Sequence, residues 1–291
     1  MSLRHLLIVF LLLGLGACES AMDSKLKAIA ELPLEQRIAA LETLWSENPQ
    51  DPELPNLLSR AKWETYSAYG DEEKVERLKA DLRADPESAV LSKLLGDGYY
   101  DLAQEPGKEG YLDSALFAYE NAALKAPSFL AAVGSVGAIY DSKEEYDQAI
   151  FWYQRALGID PKHVKTLCNL GASHYNKGEY AQAMDFYRQA LAVDPKSQDA
   201  HFNLGVAFAE ANIYGEAIRE WEAVIAIDST TSVGQQAKQN ATLLGDVLKE
   251  TRYRGGKRSR AIDMRDAVRT TTTVSPADST DDQSEEPDPE H

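Results

Sequence analysis

The sequence predicts an all-α fold of stacked helical hairpins, and three observations predict it. Four columns of residues recur every 34 positions: Gly137, Gly171 and Gly205; Ala115, Ala149, Ala183 and Ala217; Tyr119, Tyr153, Tyr187 and Trp221; Pro127, Pro161 and Pro195, with Ser229 at the next slot. Each unit carries two amphipathic stretches joined by a short turn. Each unit then closes at its proline, whose ring cannot continue a helix. One such hairpin cannot bury its apolar face alone, so copies must stack on one another.

The first twenty residues, MSLRHLLIVFLLLGLGACES, read as an address. Arg4 and His5 form a short basic region, Leu6 to Leu13 is uninterruptedly apolar, and small residues precede Cys18. The run is too short for a bilayer-spanning helix of ~20 residues and fits a secretory signal. Leu15-Gly16-Ala17-Cys18 resembles the lipobox of bacterial lipoproteins. That resemblance implies cleavage of residues 1–17, diacylation of the Cys18 sulfur and acylation of the new N-terminus. Residues 18–23 would then be a lipidated linker. Several acyl chains give stable anchoring, at ~0.8 kcal/mol per buried CH₂. Glu19 stands where enterobacterial lipoproteins retained in the inner membrane carry Asp. The expected location is therefore the cell envelope, facing the periplasm, with the outer membrane favoured over the inner.

Residues 24–88 predict helices that fit the repeat less well. Leu34 to Trp45 carries an apolar stripe, and Pro49, Pro52 and Pro55 break the chain after it. Leu57–Tyr69 and Glu72–Leu82 read as a helix pair closed by Pro86, which lies 41 residues before Pro127, one period plus seven. Ala61 and Ala80 each fall one residue before the slot the period assigns, which Lys62 and Asp81 occupy. Residues 54–88 are read as a divergent repeat and 24–53 as an N-terminal helix pair or cap.

Four units follow, at 89–129, 130–163, 164–197 and 198–231. The stretches from Val136 to His163, Asn169 to Ser197 and Asn203 to Ser229 combine a glycine, an aromatic, a later alanine, a second aromatic and a closing proline or its substitute. This pattern resembles the tetratricopeptide repeat. The resemblance implies a right-handed superhelix with a concave groove. The 89–129 unit holds seven extra residues near Ala103–Gly110, rich in Gly and Pro, which read as a tolerated surface insertion or as a recognition loop at the groove's edge. Val233, Ala237, Leu244, Val247 and Leu248 mark 232–251 as a capping helix.

Charge divides the end of the chain. Residues 252–269 form a basic segment, dense at RYRGGKRSR, which can meet anionic lipid heads, a polyanion or the acidic body of the same chain. Residues 270–291 hold seven acidic residues and no basic one, without an apolar pattern, and predict disorder.

The formal net charge of −17 argues against nucleic acid, since phosphate binding needs a cationic face. No metal-, phosphate- or nucleophile-bearing motif is present, so no catalytic residue, cofactor or metal is assigned. His174 and His201 occupy aromatic slots of the repeat and read as packing residues, and Cys168 as a buried thiol. The repeat resemblance points instead to protein binding by the inner helix of each unit. Carried over column by column, the groove would be lined by Lys93, Asp97, Tyr100, Asp101, Ser135, Asp141, Lys165, Asn169, Tyr175, Asn176, Asp199, Phe202, Asn203 and Glu210. Asn169 and Asn203 share a column and can hydrogen-bond an extended backbone. Gly134 and Ala138 stand where chaperone-tail receptors place a carboxylate clamp, so a neutral or basic segment suits this groove better than an acidic C-terminus. The expectation is a membrane-anchored, non-enzymatic scaffold for assembly of a cell-envelope complex, such as a type IV pilus secretin. The alternatives are an adaptor recruiting cell-wall hydrolases or proteases, and a subunit that completes another enzyme's active site.

Overall fold

A computed structural model describes residues 21–253, and among them it contains thirteen α-helices and no strand. The helices are α1 (Ala21–Ala30), α2 (Leu34–Glu47), α3 (Leu54–Tyr66), α4 (Asp71–Ala84), α5 (Ala89–Ala103), α6 (Tyr111–Lys125) and α7 (Leu130–Ser142). They continue with α8 (Tyr146–Ile159), α9 (Val164–Asn176), α10 (Tyr180–Val193), α11 (Gln198–Glu210), α12 (Tyr214–Ile227) and α13 (Ser232–Tyr253). The chain divides into two compact units that meet at Ile139 and Tyr140, inside α7. The signal segment, Cys18, residues 254–269 and the acidic tail lie outside the described residues.

Within each unit the hairpin forms because the glycine column lets an aromatic ring press onto the inner helix. A Cβ at Gly171 would stand 2.6 Å from Tyr187, and one at Gly205 2.6 Å from Trp221. Trp221 is fully buried and donates its indole N–H to the Phe202 carbonyl at 3.2 Å. The alanine columns, Ala149, Ala183, Ala190 and Ala217, are all buried where the paired helices approach. Gly96 meets Tyr119 in the same way in the N-terminal unit.

Turn chemistry repeats at the same step. Glu144, Gly178 and Asn212, each 34 residues apart, adopt left-handed backbone angles between the two helices of a hairpin. At the other end, the carboxylates of Asp160, Asp194 and Asp228 accept from the backbone N–H two residues on. This turn explains how Ser229 can replace proline: the aspartate, rather than the ring, organises the chain after the helix. His163 and Ser197 then cap α9 and α11 with side-chain acceptors.

Several boundaries differ from the sequence reading. Residues 21–23, read as linker, are the first turn of α1, where Asp23 is favoured by the helix dipole. Helix α3 begins at Leu54 rather than Leu57 because Pro55 sits in its first turn, where a missing N–H costs nothing. It ends at Tyr66, three residues earlier than read. The seven-residue excess of the 89–129 unit is shared: α5 and α6 are longer than their counterparts, and only 104–110 remains as loop. Lys108 pins that loop through Glu72 at 2.8 Å and Glu105 at 3.1 Å.

Candidate functional site

In the C-terminal unit the candidate surface is carried by α9 and α11, neighbouring inner helices. Helical spacing places Lys165, Asn169 and Asn176 along α9, and Asp199 and Asn203 along α11. Lys165, Asn176 and Asp199 are exposed, and Asn169 and Asn203 are half-buried. Tyr175 links the two helices, donating its hydroxyl to Glu210 at 3.3 Å while its ring packs against Tyr180. The exposed and half-buried groups are amides, one cation and one carboxylate, a set that can hydrogen-bond a polypeptide backbone and tolerate either sign of charge.

Three residues assigned to the lining are withdrawn from it. Phe202 is 1% exposed and belongs to the core cluster that includes Trp221 and Ala237, so it offers no surface to a partner. Its column holds polar or small residues elsewhere, Lys93, Gly134 and Cys168, but an aromatic ring gains more from the core than from solvent. Glu210 is buried behind Tyr175. Asp141 is 7% exposed, and both of its oxygens accept from the Ser173 hydroxyl at 2.9 Å. Burial pushes its carboxyl up to about 6, although hydrogen bonds from Ser173 and Tyr153 pull the other way. Ser173 was not singled out by the sequence; its polar character in an otherwise apolar slot was the available signal.

The N-terminal unit places Lys93, Asp97, Tyr100 and Asp101 on α5. Lys93 pairs with Asp97 at 2.7 Å, and Tyr119 donates to the other oxygen of Asp97 at 2.9 Å. Asp101 stands 3.6 Å from the buried Lys74 ammonium, and burial raises its carboxyl above the ordinary range. Lys74 itself lies over Trp63 and pairs with Asp71. These charges neutralise one another locally and form a half-buried polar face rather than an open charged patch.

His174, His201 and Cys168 lie in packed surroundings. His174 stacks on Phe186 and contacts Glu179 at 2.6 Å, and His201 contacts Glu220 at 2.7 Å. Cys168 is buried and its thiol is pushed up to about 12, leaving little nucleophilic thiolate. Among the described residues no group of three or more His, Cys, Asp or Glu stands where it can hold a metal ion. No helix there is long and apolar enough to cross a membrane.

Comparison with known proteins agrees with this architecture. Residues 164–197 match the tetratricopeptide repeat, and residues 137–178 match a second model described as TPR repeat. A structure of MamA from Desulfovibrio magneticus RS-1, residues 41 to the end, is 16% identical, covers 62% of this chain and 97% of its own, and superposes with a TM-score of 0.51. A double mutant of MamA from RS-1 gives 16%, 62%, 96% and 0.50. YrrB, a TPR protein with an unusual peptide-binding site, gives 20%, 69%, 98% and 0.48. No curated protein matches the chain in sequence. At these identities the likeness to the MamA structures shows the fold alone, an all-α array, with tetratricopeptide repeats matched over residues 137–197.

Proposed function

We propose that this protein is a membrane-anchored, non-enzymatic scaffold that holds a neutral or basic polypeptide segment against the inner helices of its repeats and assists assembly of a cell-envelope complex. The observation that carries the reading is the α9–α11 face, where Asn169 and Asn203 lie half-buried beside the exposed Lys165, Asn176 and Asp199. Paired amides satisfy the N–H and C=O of an extended segment, and the surrounding acidity of the chain, net −17, favours a cationic one over an anionic one. Anchoring rests on the lipobox-like Leu15–Cys18 run alone. A type IV pilus secretin is the proposed client class.

A photo-crosslinking residue placed at the exposed Asn176 in intact cells tests the groove. Capture of one envelope partner, lost when Asn169 and Asn203 are both changed to Ala, is the expected outcome. Secretin subunits in the product support the proposed client, murein endopeptidases point to the adaptor alternative, and no product overturns the groove reading. Anchoring has its own readout. Labelled palmitate should appear on the processed chain and vanish in Cys18→Ala.

A further inference from the structure

A cavity in the N-terminal unit belongs to none of the inner-helix residues described above. It lies between α4, α5 and α6, has a volume of about 600 Å³, and is lined by apolar and polar side chains in similar number. Ser92 shares a column with Val133, Leu167 and His201. Val133 and Leu167 are buried apolar residues, whereas Ser92, equally buried, is covered by the Lys125 ammonium at 3.2 Å. The opening is walled by Leu82, Leu95 and Phe117. Phe117 is 69% exposed, and Leu124, two turns along α6, is 77% exposed, so the apolar surface extends beyond the mouth.

One end of this pocket is cationic. Lys125 donates to the Pro86 carbonyl and to Ser92 Oγ. Both partners are neutral, and an ammonium has three protons to give. Asp113 stands at the opposite end, twelve residues earlier on α6, or about 18 Å of helix. An anionic group is therefore drawn to the Lys125 end.

We propose that this pocket is a second docking site, which takes a protein segment carrying one bulky apolar side chain next to a carboxylate. The side chain lies against Leu82, Leu95 and Phe117, and the carboxylate meets the Lys125 ammonium, whose partners within the chain are neutral. This selects chemistry opposite to the neutral or basic segment assigned to the α9–α11 face, so either site can fail without the other.

The test uses the full chain and a fluorescein-labelled nonapeptide with a single phenylalanine flanked by aspartates, followed by anisotropy. Saturable binding is expected, weakened at least tenfold by Ser92→Leu, Lys125→Gln and Phe117→Ala. The same peptide with asparagines should bind the unaltered protein no better than the aspartate peptide binds Lys125→Gln. Ser92→Leu can perturb folding, which circular dichroism reports; Phe117→Ala changes an exposed side chain and keeps the test decisive. The proposal is overturned by absence of saturable binding, or by binding indifferent to Lys125→Gln and Phe117→Ala. Saturable binding of dodecanoate with none of the peptide overturns it in favour of a lipid. Self-association abolished by Phe117→Ala overturns it in favour of a second copy.

Discussion

Glycine has opposite roles at different places in this chain. At Gly171 a Cβ would collide with the Tyr187 ring at 2.6 Å, and the ring is buried with nowhere to retreat. Gly171→Ala should destabilise the protein by about 1–3 kcal/mol, read by chemical denaturation. Gly245, inside α13, has nothing within 4 Å of its would-be Cβ, so Gly245→Ala should stabilise by about 0.5–1 kcal/mol through helix propensity. Glu144 shows the reverse problem, holding a left-handed angle that Gly178 and Asn212 adopt more readily. Glu144→Asn should raise the melting midpoint, with a gain of about 0.5–1 kcal/mol.

The C-terminal end of α7 stores a cost in Asp141. Its folded carboxyl titrates near 6 instead of 3.8 because burial disfavours the charge. The native state therefore binds the proton more tightly than the unfolded chain. Stability from this group is fully present below about pH 4 and is lost as pH rises through 6. Asp141→Asn keeps an acceptor for Ser173 and removes the charge. It should stabilise the protein by about 1–3 kcal/mol at pH 7.5 and change little at pH 4. A variant whose advantage is equal at both pH values would show that the carboxylate is not the cause.

For the whole molecule, α13 covers the apolar side of the last repeat. Ala237 and Leu244 are buried in the cluster that also encloses Trp221 and Val224, and Asn240 is buried on the same helix. A chain ending at residue 231 uncovers the apolar side of α12, since terminal units of such arrays need a polar outer face. It should elute as aggregates on gel filtration where the full chain does not. Leu244→Ala, milder, should cost about 2–4 kcal/mol without aggregation at low temperature.

The hairpin array was legible in the sequence because the packing that builds it recurs at a constant offset. A ring that must press on a glycine one helix back imposes the same two residue types every 34 positions, and a period is visible without coordinates. Exposure has no such offset. Phe202 shares a column with Lys93 yet sits in the core, and Asp141 shares one with Tyr175 yet is sealed behind Ser173. Whether a side chain meets water depends on the size of its neighbours on three helices at once. Ser92 makes the same point: a small polar residue in a slot held elsewhere by Val133 and Leu167 is still 1% exposed, because the long Lys125 side chain reaches over to it.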